Sequence, residues 1–206
     1  MARVEERDRC SLPTDLRPLW DAFTRPEHDF TNQARVLAQS HPAFRHLYGL
    51  IDTWRTDGSL PRRLVEIAVV TTSRLNACPY CIGHHGAVLA ETGLPAETVN
   101  GILDPEVPGL DALERLVRDF SRLLVERPWG MPDSIFAALR RHLDERQIVE
   151  LTLRVGVCSL FNTFNQALQI EMEPSARSQL DRCGIEIGMS DVDDRDTSGA
   201  PRTEGR

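Results

Sequence analysis

The chain has 206 residues, 41% of them hydrophobic and 27% charged, with a formal net charge of -7 at pH 7. This length and composition predict one globular domain with a buried core, and the acidic balance argues against a nucleic-acid-binding protein, which usually carries a basic patch. All 24 basic residues are arginine, so the sequence excludes a lysine base and lysine Schiff-base chemistry.

The N-terminal part predicts an irregular lead over residues 1–12, followed by helices over residues 14–58 that are interrupted at Pro26, Pro42 and Gly58. The first residues, MARVEERDRCSLP, carry charges of both signs and no apolar stretch, which is not the pattern of a signal peptide. No segment approaches the roughly 20 apolar residues that cross a bilayer. We therefore expect a cytoplasmic protein that does not contact the membrane.

Two further helices are predicted in the middle of the chain. RRLVEIAVVTTSRLNA follows Pro61, and its length of about 16 residues without a turn signal favours a buried helix, although IAVVTT alone has strand propensity. PYCIGHHGAVLAETG predicts a helix with Pro79 in its first turn and Gly93 beyond its end.

The C-terminal half also predicts helices. A short one lies in LPAETVNGIL, a strongly amphipathic one over residues 110–127, another in MPDSIFAALRRHL, and a long apolar helix or helix pair begins at ERQIVELT. No stretch alternates like a strand, so the predicted fold class is all-α. We predict a single domain over residues 1–188 and a disordered tail over residues 189–206, because the tail is too polar to offset the entropy of ordering.

Among the five cysteines, Cys78 and Cys81 form the one local pair. In a reducing compartment, such a count does not indicate a structural disulfide framework. With Cys78 at the helix N-cap and Pro79 at the first helical position, the free N–H groups favour a thiolate at this turn. Cys81 lies one turn further on, within reach of Cys78 for a disulfide.

Histidines follow this pair at helical spacing. His85 is four residues after Cys81 on the same face, so it is a candidate to take the thiol proton directly or through one water. His84, three residues after Cys81, is a second candidate, although a surface or packing role is more typical of such a residue. Glu66 on the preceding helix is placed to orient the histidine, which suggests a Glu–His–Cys relay beside a second cysteine.

Other interpretations of these residues remain open. The two cysteines are also compatible with buried core thiols, or with zinc ligation together with His84 and His85. Structural zinc normally needs four ligands from two clusters, and no second C-x-x-C or H-x3-H occurs, so we expect no metal and no other cofactor. Glu66 is also compatible with a carboxylate that pairs with a neighbouring arginine.

The spacing E-x11-C-x2-C-x3-H, formed by Glu66, Cys78, Cys81 and His85, closely resembles the carboxymuconolactone decarboxylase superfamily, in its AhpD-like alkylhydroperoxidase branch. Residues 62–93 carry this resemblance, and IVELTLRVGVCSLFNTFNQAL, residues 148–168, resembles a later helix of related proteins. The resemblance implies an AhpD-like helical domain with a helix-hairpin core that assembles as a trimer or hexamer. It also implies reduction of organic hydroperoxides or hydrogen peroxide without haem or metal.

The resemblance also implies roles for the matching residues. Cys81 would be the peroxidatic thiolate and Cys78 the resolving thiol, with His85 and Glu66 as proton relay and an external dithiol, such as a thioredoxin-like or lipoyl protein, as reductant. The position of Cys78 at the helix end favours it as the more acidic thiol, whereas the histidine spacing favours Cys81, which we prefer. Tyr80 replaces a histidine that the best-known peroxidases of the family have, and we expect it to be a pocket wall.

A weak internal repeat aligns RRLVEIAVV with ERQIVELTL, and therefore Glu66 with Glu150. Continued without gaps, the alignment places Cys78 over Asn162 and Cys81 over Asn165. Glu150 is thus predicted to be structural or pocket-lining. Two functions other than a peroxidase stay open: lactone decarboxylation, which needs no cysteine pair, and a redox sensor that is oxidised without turnover.

Overall fold

The computed structural model describes residues 2–26 and 29–188, and within these ranges it contains helices and no strand. The predicted all-α class is therefore confirmed. The α-helices are α1 Arg17–Thr24, α2 Thr31–Leu37, α3 His41–Ala43, α4 Gly49–Asp57, α5 Arg62–Leu75, α6 Pro79–Glu91, α7 Ala96–Asn100, α8 Ala112–Glu126, α9 Asp133–Leu139, α10 Glu145–Ala167 and α11 Pro174–Cys183. Short 3₁₀ turns lie at Arg9–Ser11, Thr14–Leu16 and Pro128–Gly130, and a π-helical turn, Phe44–Tyr48, joins α3 to α4.

The central helix of the domain is α5, which contacts α6, α8 and α10. Every residue from Leu64 to Ser73 is buried, so the IAVVTT stretch belongs to a buried helix, as predicted. Because α5 is covered on several sides, its middle, residues 67–70, is continuously apolar, which explains why the segment also resembles a strand.

The hairpin between α5 and α6 turns through a helix-end motif closed by two backbone hydrogen bonds. Ala77 N–H donates to Arg74 O at 3.1 Å, and Cys78 N–H donates to Ser73 O at 2.9 Å. This is the Schellman arrangement, which needs a left-handed residue and usually takes glycine there. Ala77 occupies that position with a φ of 47°.

The two other long helices begin with capping boxes. Asp111 and Glu114 exchange side-chain-to-backbone hydrogen bonds at the start of α8, and Asp144 and Gln147 do the same at the start of α10. Such boxes satisfy the free N–H groups of a first turn. The predicted long helix or helix pair is one helix, α10.

A second cluster of buried side chains joins α1–α4 to the C-terminal half of α10. Tyr48 lies at its centre, completely buried, with its ring stacked on Phe23 at 3.9 Å between centroids and tilted toward Phe161. This packing fixes the N-terminal helices against α10 and so forms one side of the cavity described below.

One described helix, α11, was not predicted. Two of its residues, Ala176 and Leu180, are buried, and the others are too polar to give an apolar stripe. Its ends carry signals that sequence analysis passed over, since Pro174 is at the first position and Gly184 is left-handed at the end. The proposed tail, 189–206, lies outside the described residues. None of the described helices is long and apolar enough to cross a membrane.

The two faces of α10 allow a matched test of the packing. Leu151 is completely buried and Leu153, two residues later, is 49% exposed. We expect Leu151→Ala to lower the free energy of unfolding by about 2–5 kcal/mol, because it leaves a cavity in the core. Leu153→Ala is the control, and a change within about 0.5 kcal/mol is expected for an exposed site in denaturant melts. Equal losses for both variants would contradict this burial pattern.

Candidate active site

A cavity of about 540 Å³ lies between the N-terminal helices and the α5–α6 hairpin. Its wall includes the motif residues Cys81, His85 and Glu66, together with His84 and Tyr80. Much of the remaining wall is aromatic or aliphatic, contributed by Phe23, Phe30, Ile51, Trp54, Leu60, Val65, Val69, Val88, Val157 and Phe161. Five of the seven predicted site residues thus line one cavity, whereas Cys78 and Glu150 do not.

The two thiols occupy different environments at the start of α6. Cys78 is the N-cap residue, and its Sγ accepts a hydrogen bond from the Cys81 N–H at 3.4 Å. Cys78 is completely buried, whereas Cys81 reaches the cavity. Both cysteines are free thiols.

The two thiols differ in acidity. The hydrogen bond from the Cys81 side chain, together with the Cys81 N–H, lowers the pKa of Cys78 despite its burial. The same hydrogen bond with Cys78, reinforced by burial and by the charge on Cys78, raises the pKa of Cys81 well above its ordinary value. These opposite shifts favour Cys78 as the more acidic thiol, as helix-end electrostatics suggested, over Cys81, the sulfur that reaches the cavity.

An amide chain holds the Cys81 sulfur from the side of α10. Asn165 Nδ2 donates to Cys81 Sγ at 3.2 Å, Gln33 Nε2 donates to Asn165 Oδ1 at 2.9 Å, and Tyr48 OH donates to Gln33 Oε1 at 3.0 Å. Because the tyrosine hydroxyl fixes the glutamine amide, and the glutamine fixes the asparagine, Asn165 is oriented as a donor toward sulfur. The internal repeat had aligned Asn165 with Cys81 without indicating this contact.

The predicted partnership of Glu66 with a histidine is present in the structure. His85 Nδ1 and Glu66 Oε2 are 2.8 Å apart, across the hairpin from α6 to α5. Glu66 is therefore paired with a histidine and not with an arginine. Among the described residues, no hydrogen bond joins His85 to Cys81, so a proton would pass between them through a water molecule or a small movement.

His84 was predicted to be a surface or packing histidine, and in the structure its side chain is buried and packed. Its side chain is 7% exposed, its Nε2 lies 2.7 Å from Glu173 Oε2, and its ring stacks on Phe30 at 4.4 Å. Tyr80 lines the cavity, as expected, and its hydroxyl donates to Glu173 Oε1 at 3.0 Å. Sequence analysis missed Glu173, which precedes α11 and has no motif around it.

Glu150 is buried away from the cavity wall. Its carboxylate accepts hydrogen bonds from the Ser59 N–H at 2.6 Å and hydroxyl at 2.8 Å, and from Arg154 at 3.0 Å. Burial opposes the charge, but these donors hold the pKa of Glu150 below its ordinary value. The structure thus places Glu150 in a contact between α10 and the segment before α5, the structural one of its two predicted roles.

Of the remaining cysteines, Cys158 also lines the cavity, whereas Cys10 and Cys183 do not. Cys10 is exposed, Cys183 is partly buried, and Cys158 is buried on α10, where burial raises its pKa to about 12. Among residues 2–26 and 29–188, no group of three or more His, Cys, Asp or Glu is arranged to hold a metal ion.

This difference in acidity predicts pKa changes of opposite sign in the two alanine variants. Cys81→Ala removes the hydrogen bond that stabilises the Cys78 thiolate, so we expect the pKa of Cys78 to rise. Cys78→Ala removes a neighbouring charge, so we expect the pKa of Cys81 to fall. Thiolate ultraviolet absorbance during a pH titration measures both, and Cys10→Ala, at an exposed thiol away from the cavity, is the control that leaves the pKa values of Cys78 and Cys81 unchanged. An unchanged pKa of Cys78 in Cys81→Ala would contradict the shared proton.

Part of the chain is similar to a known protein family. Residues 42–112 match the model of the Carboxymuconolactone decarboxylase family. A comparison with curated proteins finds no match.

Solved structures give similar folds at low sequence identity. An alkylhydroperoxidase AhpD core protein, an uncharacterized peroxidase-related protein from Ralstonia eutropha JMP134, has a TM-score of 0.73 at 21% identity, over 85% of this chain and 94% of its own. The debrominase Bmp8 has a TM-score of 0.73 at 19% identity, over 88% and 97%. A protein of unknown function from Agrobacterium tumefaciens has a TM-score of 0.60 at 22% identity, over 66% and 93%. Residues 42–112 thus match the carboxymuconolactone decarboxylase family model, and the helical fold is similar to AhpD-like structures, which confirms the resemblance inferred from the motif.

Proposed function

We propose that the protein is a thiol-dependent peroxidase that reduces organic hydroperoxides or hydrogen peroxide through Cys78 and Cys81. The observation that carries the proposal is the position of Cys81, which alone of the pair lines the cavity while Cys78 lies buried beside it. A largely apolar cavity of about 540 Å³ suits the body of an organic hydroperoxide better than it suits hydrogen peroxide alone.

In the first step, Cys81 reacts as the thiolate. The pair loses one proton to His85, directly or through one water, and the imidazolium is stabilised by Glu66. The proton that remains moves from Cys81 to Cys78 within their hydrogen bond, and Asn165 stabilises the charge left on Cys81. The sulfur attacks one peroxide oxygen, the O–O bond breaks, and the second oxygen leaves as alkoxide or hydroxide and takes up a proton. Cys81 is then a sulfenic acid.

In the second step, Cys78 attacks the sulfur of the sulfenic acid. The S–S bond forms as Cys78 gives up its thiol proton to solvent, the S–O bond breaks, and hydroxide leaves as water with the proton held by His85. Over both steps, the two thiol protons and the proton of the hydroperoxide end in one alcohol and one water. A resolving thiol adjacent to the peroxidatic one, and buried as Cys78 is, limits further oxidation of the sulfenic acid.

The cycle closes when an external dithiol reduces the bridge. Because Cys78 is buried, the external dithiol would attack the sulfur of Cys81, which lines the cavity. We therefore expect a reductant whose thiol enters the cavity, such as the lipoyl group of a lipoyl protein or a thioredoxin-like protein.

The proposal includes a reducing, cytoplasmic compartment. A trimer or hexamer stays a prediction. The exposed apolar residues of α10, namely Val149, Leu153 and Leu160, would supply apolar surface for contact with a second subunit.

Two alternatives make different predictions about the same residues. A redox sensor forms the same disulfide but does not turn over with a dithiol. Lactone decarboxylation does not depend on two thiols, so it tolerates serine at both cysteines. Bmp8 shows that this fold also serves a debrominase, so the fold by itself does not select among these chemistries.

The test is peroxide oxidation of the reduced protein with thiol counting and peptide mapping. We expect loss of two thiols and a Cys78–Cys81 bridge, and a sulfenic acid trapped on Cys81 in Cys78→Ser, because the resolving thiol is then missing. Cys158→Ser is the control and reacts like the native chain. Steady turnover with dithiol excludes a sensor, and thiols that react no faster than free cysteine would refute the peroxidase proposal.

The amide chain gives a separate prediction about rate. Asn165→Leu removes the donor to Cys81 Sγ, and losing a hydrogen bond to a charged group costs about 1.5 kcal/mol, or roughly tenfold in the rate of sulfenic acid formation. Gln166→Leu, the matched control, removes an amide bonded to the Asn76 and Asn162 carbonyls instead. Stopped-flow oxidation with excess peroxide measures both variants. Equal rates in Asn165→Leu and the native chain would show that Asn165 does not stabilise the thiolate.

A further inference from the structure

The cavity contains a second histidine–carboxylate pair beside the one that the motif predicts. His85 is bonded to Glu66 through Nδ1, and His84 is bonded to Glu173 through Nε2, at 2.8 and 2.7 Å. Both imidazoles line the same cavity as Cys81. The family spacing used above assigns the first pair and leaves the second without a role.

Glu173 is held more rigidly than a simple ion pair requires. Its Oε1 accepts from the Tyr80 hydroxyl at 3.0 Å and from the Asn32 N–H at 2.6 Å, which leaves Oε2 to His84. The Glu173 side chain is 3% exposed. Burial, with the charge of Glu173, raises the pKa of Tyr80 well above its ordinary value, so the phenol stays protonated and serves as a fixed donor.

The other ring nitrogen of His84 is free to act on a molecule in the cavity. Nδ1 has no hydrogen-bond partner among the described residues, and it is not one of their fully buried unsatisfied atoms. The ring is held between Phe30, at 4.4 Å, and Tyr80, at 4.6 Å between centroids. A histidine that lines a cavity, with one nitrogen bonded to a carboxylate and the other without a partner among the described residues, is arranged for proton transfer.

The proposed reaction needs a proton at two different oxygens. The first step expels the alkoxide of the hydroperoxide, and the second expels hydroxide from the sulfenic acid. Displacement at the peroxide is in line, so the alkoxide oxygen lies beyond the attacked oxygen, on the side of the organic group. His85 receives the thiol proton, so its proton transfers take place on the side of the sulfur.

We propose that His84 is the general acid that protonates the leaving alkoxide, and that Glu173 is its positioning residue. The O–O bond breaks, and the alkoxide oxygen takes the Nδ1 proton of the His84 imidazolium, whose charge Glu173 stabilises. The neutral imidazole that remains keeps its Nε2–H on Glu173 and recovers the Nδ1 proton from solvent. His84 stacks on Phe30 in the aromatic wall, where the organic group of the hydroperoxide would lie. The His85 side chain, by contrast, is 29% exposed. This inference rests on the proposed peroxidase function.

The experiment compares two oxidants that differ in their leaving group. tert-Butyl hydroperoxide expels an alkoxide that needs a proton, whereas peracetic acid expels acetate, which is stable without one. In single-turnover oxidation of the reduced full chain, His84→Gln should slow the reaction with tert-butyl hydroperoxide by about 10²-fold or more, the usual contribution of general acid catalysis. The reaction of the same variant with peracetic acid should be unchanged.

Two further variants separate positioning from structure. Glu173→Gln keeps acceptors for Tyr80 and Asn32 but weakens the hold on His84, so it should slow the alkyl hydroperoxide selectively and by a smaller factor. Glu66→Gln, the matched control on the other histidine, should slow both oxidants, because thiolate formation precedes both reactions. The Glu173→Gln comparison also decides the question if His84→Gln does not fold.

The outcomes distinguish this inference from the proposal on which it rests. Equal slowing of both oxidants in His84→Gln would indicate a structural histidine and overturn the inference, as would no slowing of either. In both cases rapid oxidation of the native chain would leave the peroxidase function standing. A native chain that reacts with neither oxidant faster than free cysteine would overturn both.

Discussion

The burial of α5 on several sides is the constraint on which the rest of the molecule depends. Polar side chains in the buried middle of such a helix need hydrogen-bond partners, because an unpaired buried group costs about 1–3 kcal/mol. Thr71 and Thr72 return their hydroxyls to the Ile67 and Ala68 carbonyls of the same helix. Glu66 has no such local partner, and its carboxylate is paired with His85 from the next helix. The need to satisfy one buried acid thus also fixes the orientation of an imidazole at the cavity.

The local part of this arrangement is readable from the sequence, and the distant part is not. The helix-turn-helix and the spacing from Cys81 to His85 follow from helical periodicity, and the E-x11-C-x2-C-x3-H pattern adds Glu66. Asn165 and Glu173 reach the site across 84 and 89 positions of chain, through contacts that no periodicity encodes. For the same reason, the sequence could not show that His84 pairs with Glu173, which lies just before the unpredicted helix α11.

Acidity and access are divided between the two cysteines. The helix start stabilises charge on the buried sulfur of Cys78, while the cavity exposes the sulfur of Cys81, which is held by Asn165. Sequence reasoning treated these as competing assignments for one thiolate. In the folded chain they describe one hydrogen-bonded pair, in which the position of a single proton decides which sulfur carries the charge.

The turn at Ala77 determines how α6 is rotated about its own axis relative to α5. The two backbone hydrogen bonds of this turn tie the start of α6 to the last carbonyls of α5, with one left-handed residue between them. Inserting or deleting a residue here would rotate α6 by about 100° about its own axis, since a helix has 3.6 residues per turn. Cys81, His84 and His85 would then leave the cavity together, although each side chain would still be present. The length of this connection is therefore as much a part of the site as the residues that line it.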